Sequence, residues 1–510
     1  MKLLKNSLLV TALGVLSVSA AQAQKITEKV IYTLKAGELI RPVNEHSVSL
    51  TAEEAGWMIF TERSKGVSRE YYTIVNGKEY GPFKTEMIDW WQHSYFPEKG
   101  VFGSMIKKGN DNYLSFAGKE YGPCTPTYYN ADLIEGKAVV SYNDMNNNMH
   151  VWYNGKEIAN LAASEDGTTY PPYPMTDAKG NYMFSYHMPA GDVINVNGKT
   201  YGPYETGYTS AINNGHYAFT YGKGYNTDSP SYYYNIDGKD YGPYATTGAI
   251  QISDDGKIIY DYTDLNQKYH LFVNGKEIAS GDYGYWSMNN KKGTYLYAVT
   301  KTNDENPETT LVVNGKTIGT YTAVNGAFYS ENGEHYSYTV VEGEESNVYI
   351  DGKLVASLSL DNSYASPQFS ENAKHYLINS YNAETNKTSV IVDGKPKGEY
   401  SNLNNAMVGN DGDLMIQYSD ENGQMFLELN GKLVDIIKVD INNGGYPYIM
   451  SDDKYKHILS YDYSNPENVM IDGKLLEGKG GVTYFYNKFR NSFQWIGVDG
   501  INVVLREVKF

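Results

Sequence analysis

Short hydrophobic runs alternate with turn residues along nearly the whole chain. In LFVNGKEIAS (271–280) and LVVNGKTIGT (311–320), β-branched and aromatic residues stand on both sides of an Asn-Gly pair. These residues favour strands, and Asn-Gly between two apolar runs is a strong signal for a two-residue hairpin. No helical periodicity interrupts the pattern. The chain is therefore predicted to be all-β.

The Gly-Lys pair at the hairpin tip recurs eleven times. The residue before the glycine is Asn six times, Asp four times and Ala once. The ten intervals between the first and the last of these glycines average 39.6 residues. A second turn, as in QISDDGKIIYDY (251–262), precedes most tips, so each repeat is predicted to hold two hairpins and four strands. The tip glycines are Gly77, Gly118, Gly155, Gly198, Gly238, Gly275, Gly315, Gly352, Gly394, Gly431 and Gly473.

Four-stranded units repeating at this interval are typical of β-propeller blades. The order Ser253-Asp254-Asp255-Gly256-Lys257, an apolar strand, and then Asn274-Gly275 resembles the TolB-type, WD-like propeller repeat. Similar pairs of turns cover most of residues 50–505. The resemblance implies a propeller of stacked four-stranded blades and interaction work in the periplasm. It does not imply a particular partner, because propellers have many unrelated functions.

The number of repeats predicts about twelve blades. Propellers typically have four to eight blades, so the chain is predicted to form two tandem propellers, at residues 24–285 and 286–510. The C-terminal unit, 484–510, lacks a fourth strand, and the N-terminal strand KVIYTLKAG (29–37) belongs to no unit. These two segments are predicted to complete one blade, because an open sheet edge promotes aggregation.

Residues 1–23 have the pattern of a signal peptide. Lys2 and Lys5 precede an apolar run, and Ala21-Gln22-Ala23 gives a cleavage site of the small-x-small type. No other run is long enough to span a membrane as a helix. Cys124 is the only cysteine, so neither a lipid anchor at the cleavage site nor an internal disulfide is expected. The mature protein is therefore expected in the periplasm or at the cell surface, without membrane insertion.

Acidic residues outnumber basic ones. The formal net charge is −17, and it becomes −19 without Lys2 and Lys5 of the predicted signal peptide. Binding of nucleic acid needs concentrated positive potential, so nucleic acid is not expected as a partner.

Aromatic clusters that depart from the repeat pattern are the predicted ligand-binding residues. Tyrosine is unusually frequent, with 50 of 510 residues. Exposed aromatic rings stack on sugars or fill pockets of a partner protein. The three clusters lie in a long insertion, in TTYPPYP and in GDYGYW. Their members are Trp90, Trp91, Tyr95, Tyr170, Tyr173, Tyr283, Tyr285 and Trp286.

No catalytic or metal-binding residues are predicted. His216, His335 and His375 follow the first turn of their units at the same place, which indicates a repeated strand position and no catalytic cluster. HExxH and GxSxG motifs do not occur, and a single cysteine excludes Cys-based zinc sites. No cofactor is expected, and the protein is predicted not to be an enzyme.

The predicted function is binding of a protein or protein complex of the bacterial cell envelope. A carbohydrate-binding, lectin-like surface protein is the first alternative. A glycan-active enzyme is the second, and it requires a pair of carboxylates about 5 to 10 Å apart in a pocket.

Overall fold

A computed structural model describes most of the chain. The described residues are 25–40, 48–50, 57–65, 68–83, 95–96, 101–102, 104–108, 111–116, 119–125, 129–134, 137–162, 172, 174–224, 230–303, 306–359, 365–438, 447–462 and 467–510. The predicted signal peptide lies outside them. The described secondary structure consists of strands joined by turns, as the sequence predicts.

Fifty strands are described, numbered in chain order. The first nineteen are β1 (Thr27–Thr33), β2 (Glu38–Ile40), β3 (Val48–Leu50), β4 (Trp57–Lys65), β5 (Ser68–Val75), β6 (Lys78–Phe83), β7 (Tyr95–Phe96), β8 (Val101–Phe102), β9 (Ser104–Lys108), β10 (Asp111–Phe116), β11 (Lys119–Cys124), β12 (Tyr129–Ile134), β13 (Lys137–Asn143), β14 (Met149–Tyr153), β15 (Lys156–Leu161), β16 (Met175–Thr176), β17 (Tyr182–Met188), β18 (Gly191–Val196) and β19 (Lys199–Tyr204). The next sixteen are β20 (Thr206–Asn213), β21 (His216–Lys223), β22 (Ser231–Ile236), β23 (Lys239–Tyr244), β24 (Thr246–Ile252), β25 (Ile258–Thr263), β26 (Tyr269–Val273), β27 (Lys276–Gly281), β28 (Tyr283–Asn289), β29 (Thr294–Asn303), β30 (Asn306–Val313), β31 (Lys316–Tyr321), β32 (Ala323–Tyr329), β33 (Tyr336–Glu342), β34 (Glu345–Ile350) and β35 (Lys353–Ser359). The last fifteen are β36 (Ala365–Phe369), β37 (Tyr376–Asn382), β38 (Lys387–Val392), β39 (Lys395–Ser401), β40 (Leu403–Val408), β41 (Leu414–Ser419), β42 (Met425–Leu429), β43 (Lys432–Val434), β44 (Pro447–Ser451), β45 (Ile458–Asp462), β46 (Val469–Ile471), β47 (Lys474–Leu476), β48 (Val482–Asn487), β49 (Ser492–Asp499) and β50 (Asn502–Lys509).

All the described strands except β7 and β8 form twelve antiparallel sheets, numbered here along the chain. Sheet 1 contains β2 to β6, sheet 2 contains β9 to β11, and sheet 3 contains β12 to β15. Each following group of four strands forms one sheet, up to sheet 11 with β44 to β47. Sheet 12 combines β48, β49 and β50 with β1, while β7 and β8 pair separately. The predicted β-propeller of about twelve blades is confirmed.

The Gly-Lys tips have the backbone conformation that the sequence predicts. At the ten described tips, φ is between 47° and 52° for the Asn or Asp and between 74° and 86° for the glycine. Positive φ at both central residues is the requirement of a type I′ hairpin. The Ala117-Gly118 tip lies outside the described residues.

At the Asp tips, the side chain before the glycine also binds the strand that follows the first turn. All four Asp tips accept hydrogen bonds from a backbone N–H of that strand, at 2.8 to 3.1 Å. Each also contacts a histidine at the preceding residue, with Nδ1 to Oδ2 distances of 2.6 to 2.8 Å. The structure thus confirms the repeated histidine position. The pairs are His216–Asp237, His335–Asp351, His375–Asp393 and His457–Asp472.

The N-terminal strand closes sheet 12, as predicted. β1 pairs with β50 from Thr27↔Glu507 to Thr33↔Asn502. The buried Arg506 guanidinium donates through Nε to Glu28 at 3.0 Å and through Nη1 to the Gly480 carbonyl at 2.6 Å. The first and the last described strands, β1 and β50, therefore share one blade.

Neighbouring sheets pack face to face through buried apolar residues. Ile259 and Leu271 of sheet 6 pack with Met288 of sheet 7 in one such cluster. In another, Ile59 of sheet 1 packs with Ile496 of sheet 12. The packing thus continues from sheet 6 to sheet 7 and returns from sheet 12 to sheet 1. The predicted boundary at 285/286 falls inside β28, and the division into two propellers stays a prediction.

The two ends of the blades differ in what they carry. Gly-Lys tips and first turns lie at one end, which we call the turn face. First turns of successive sheets contact each other there: Lys179 Nζ donates to the Asn214 carbonyl at 2.8 Å, and Asn213 Nδ2 to Asp254 Oδ1 at 2.9 Å. The loops between the second and third strands, and the connections between sheets, lie at the other end. We call that end the loop face.

Candidate functional site

Five of the eight predicted binding residues cannot be placed in a site. Trp90, Trp91, Tyr170 and Tyr173 lie outside the described residues. The structure describes Tyr95 only as part of the short strand β7. The other three belong to β28, the innermost strand of sheet 7.

The aromatic residues of β28 point in different directions. Tyr283 is 57% exposed at the start of the strand, on the loop face. Trp286 packs into the cluster between sheets 6 and 7, whereas Tyr285 packs into the cluster between sheets 7 and 8. Successive side chains of a strand alternate between its two faces, so adjacent residues separate. Only Tyr283 of this cluster has a largely exposed side chain.

Trp286 is held by a carboxylate that sequence reasoning did not select. Its indole Nε1 donates to Asp261 Oδ1 at 2.9 Å, and the backbone N–H of Ala249 donates to the same oxygen at 2.9 Å. Burial raises the pKa of Asp261, because a charged carboxyl loses its hydration there, and the two hydrogen bonds only partly oppose this effect. Asp261, Trp286 and the β24 backbone therefore form a polar contact between sheets 6 and 7.

Gly248 makes room for the Asp261 carboxylate, which gives a stability prediction. A Cβ at Gly248 would lie 2.5 Å from both carboxylate oxygens, whereas a Cβ at Gly326, on the innermost strand of sheet 8, would meet nothing within 4 Å. Gly248→Ala is expected to lower the free energy of unfolding by about 1–3 kcal/mol. Gly326→Ala, the matched control, is expected to change it by about 0.5 kcal/mol or less. Urea titrations of both variants test this, and equal midpoints would contradict it.

Exposed apolar side chains lie on the loop face of five consecutive sheets. Met145, Met188, Tyr208, Leu265 and Tyr283 belong to sheets 3, 4, 5, 6 and 7, respectively, and are 43% to 64% exposed. Scattered single apolar residues are common on protein surfaces, but a series on one face of neighbouring blades suggests an interaction surface. We refer to these five residues as the apolar band.

Hydrogen bonds within the loops fix two members of the band. In sheet 3, Asp144 Oδ1 accepts the backbone N–H groups of Asn146 and Asn148 at 2.8 Å each. In sheet 6, Asp264 makes the same pair of bonds with residues 266 and 268. Such Asx turns restrict the loop backbone. Met145 and Leu265 therefore lie in loops that share the same pattern of internal hydrogen bonds.

A histidine supports each of these two loops. His150 contacts Asp144 through Nε2 at 3.5 Å and Glu157 through Nδ1 at 2.5 Å, and it stacks on Tyr142. His270 repeats these contacts with Asp264 at 3.4 Å and with Glu277 at 3.2 Å. Both imidazoles are thus held by the loop and by the outermost strand of the same sheet.

The described part of the chain holds neither a group of metal-binding side chains nor a membrane-spanning helix. No three His, Cys, Asp or Glu side chains within this part of the chain are grouped so that they could hold a metal ion. No helix in the same part has the length and apolar character to span a bilayer. The expectations of no metal and no cofactor stay predictions.

Comparison with known proteins shows no family for this chain, although several solved β-propellers are similar to part of it. No protein-family model and no curated protein matches the chain. The Dos1 propeller has a TM-score of 0.25 and 10% identity, with 58% of this chain and 92% of that chain covered. The β-propeller domain of the Trilobed protease from Pyrococcus furiosus has a TM-score of 0.26 and 14% identity, with 54% and 98% covered. An oligogalacturonate lyase solved with manganese has a TM-score of 0.26 and 10% identity, with 67% of this chain and 98% of that chain covered.

The prediction that the protein is not an enzyme was wrong. The similar propellers include the lyase and a domain of a protease, so this fold occurs in enzymes. At 10% to 14% identity and TM-scores of 0.25 to 0.26, the likeness assigns no reaction to this chain.

Proposed function

We propose that this chain is an exported β-propeller protein that binds a protein or protein complex of the bacterial cell envelope through its loop face. The apolar band is the observation that carries the proposal. Methionine and tyrosine are enriched at the centres of protein interfaces, where they contribute much of the binding energy. The band extends over five blades, which suits a macromolecular partner better than a small ligand.

The rigidity of the loops that carry Met145 and Leu265 supports the same proposal. Asp144 and Asp264 hold the backbone on both sides of Met145 and Leu265, so little conformational freedom is lost there on binding. Export is supported by the signal-peptide pattern of residues 1–23.

The test is affinity capture of partners from cross-linked native envelopes. The tagged mature chain is compared with the double variant Met145→Glu/Leu265→Glu, and captured proteins are identified by mass spectrometry. We expect a reproducible protein partner whose recovery falls at least about tenfold in the variant, because two charges enter the interface. Leu433→Glu/Leu475→Glu is the matched control, since both leucines are similarly exposed on the turn face. Equal recovery with both variants would exclude the apolar band, and capture of polysaccharide without protein would favour the carbohydrate-binding alternative.

A further inference from the structure

A tyrosine covers the tip glycine in five of the sheets. It is the first or second residue of the second strand, and its hydroxyl oxygen lies 3.2 to 3.8 Å from the place where a Cβ would stand on the glycine. The pairs are Tyr182 with Gly198, Tyr217 with Gly238, Tyr295 with Gly315, Tyr336 with Gly352, and Tyr376 with Gly394. In these five repeats the position thus holds a phenol ring on the turn face.

Sheet 6 has no tyrosine at the corresponding position of its second strand. Ile258 stands there, and nothing lies within 4 Å of a Cβ built on its tip glycine, Gly275. A cavity of about 430 Å³ opens at this place between sheets 5 and 6. Its apolar walls include Ile236, Ile258 and Tyr260. The isoleucine is too short to fill the volume that the phenol ring occupies in those five sheets.

The junction of sheets 4 and 5 shows which groups contact the tyrosine where it is present. Tyr217 packs there against Tyr201, and the two hydroxyl oxygens are 2.6 Å apart. The ammonium of Lys199 lies 4.5 Å from the centre of the Tyr201 ring. The neighbouring strand therefore provides a hydroxyl partner and a cation beside the inserted tyrosine.

The same recognising groups line the open cavity. Tyr241 of sheet 5 corresponds to Tyr201 in the repeat, and the Lys239 ammonium lies 4.8 Å from its ring centre. His216 and Asp237, bonded to each other at 2.7 Å, line the cavity as well. The cavity thus keeps the surroundings of a tyrosine and lacks the tyrosine itself.

We infer that this cavity binds the side chain of a tyrosine from another polypeptide. A phenol combines an apolar ring with one hydroxyl, which matches the apolar walls and the single tyrosine partner. A pyranose would place several hydroxyls against Ile236, Ile258 and the Tyr260 ring, where they would lose hydration without replacement. The site lies on the turn face, so it is separate from the apolar band and extends the proposed function.

The probe for this site is N-acetyl-L-tyrosinamide, titrated into the mature protein and followed by ligand-observed NMR. Burial of one aromatic side chain predicts a dissociation constant on the order of 1 mM. Ile258→Tyr is expected to weaken binding at least about tenfold, because the chain's own ring would fill the cavity as it does in the five sheets with tyrosine. Leu354→Tyr is the matched control, since it adds a tyrosine at an exposed site on the same face outside the cavity, and it should bind as the parent does.

Two further measurements keep the inference testable if Ile258→Tyr does not fold. Tyr241→Phe keeps the ring and removes the hydroxyl, and it is expected to weaken binding about three- to tenfold. Methyl β-D-glucopyranoside is expected not to bind. Binding of the glucoside in place of the tyrosinamide, absence of tyrosinamide binding to the parent, or equal binding to the parent and Ile258→Tyr would each overturn the inference.

Discussion

A chain that begins at Leu34, and so lacks β1, is expected to lose about 5 kcal/mol or more of its free energy of unfolding, which is comparable with the whole stability of many domains. β1 covers the edge of β50 from Asn502 to Glu507. Its Glu28 also binds the Arg506 guanidinium at 3.0 Å, and the Arg506 side chain is 2% exposed. Removal of Glu28 leaves Asp499 as the remaining carboxylate partner of this buried cation, and breaking a buried ion pair is costly because part of the charge loses its compensation.

Denaturant titration of this truncated chain, followed by circular dichroism, measures the effect. A chain that begins at Lys25 keeps β1 and is the control. A synthetic peptide of residues 25–35 is expected to restore the control midpoint when added in excess, whereas the same peptide with Glu28→Lys is not. An unchanged midpoint after removal of β1 would mean that sheet 12 is stable with three strands.

The repeat made most of the architecture predictable. Asn or Asp before Gly specifies a backbone conformation with two positive φ angles, so the sequence reveals the hairpins directly. The unmatched strand at 29–37 and the short C-terminal unit predicted the closure of sheet 12, because an open edge is unfavourable. The hairpin signal is local in the sequence, and the closure of sheet 12 follows from counting the strands. Neither depends on how side chains pack.

The candidate sites were less predictable because they depend on contacts between sheets. Tyr285 and Trp286 are adjacent in sequence, but strand alternation places them in different inter-sheet clusters. Asp261 is one of 60 acidic residues, and only the approach of sheet 7 and the open space at Gly248 make it distinctive. No single-residue pattern marks such a contact.

Alignment of the repeats with one another would have found two features. The segments YNDMNNNMHVWYNGKEIAN (142–160) and YTDLNQKYHLFVNGKEIAS (262–280) share the loop aspartate, the histidine and the strand glutamate. That likeness would have drawn attention to Met145 and Leu265. The same alignment shows Ile258 where five other units have tyrosine.

Acidification is expected to destabilise the closing blade before the pH reaches 2. Burial disfavours the charged form of Glu507, but hydrogen bonds from Arg490, Gln494 and Ser492 outweigh it and lower the pKa of Glu507 to about 2. In sheet 1, hydrogen bonding from Arg63, partly opposed by burial, lowers the pKa of Glu79 to about 2. A carboxylate with a lowered pKa stabilises the fold fully above its unfolded pKa of about 4.5, and the contribution is lost as the pH falls from there towards 2.

The variant Glu507→Gln separates the contribution of the Glu507 carboxylate to stability from the effect of acid on the other titratable groups. A pKa lowered from 4.5 to about 2 corresponds to about 3 kcal/mol at neutral pH for this buried carboxylate. The variant is therefore expected to be less stable than the parent at pH 7, and the difference should shrink between pH 4.5 and pH 2, where the parent carboxyl becomes neutral as well. Glu421→Gln, in an exposed loop, is the control and should follow the parent throughout. A difference that stays constant with pH would show that Glu507 stabilises the closing blade through its shape and neutral hydrogen bonds, because only the charged form can produce a pH-dependent term.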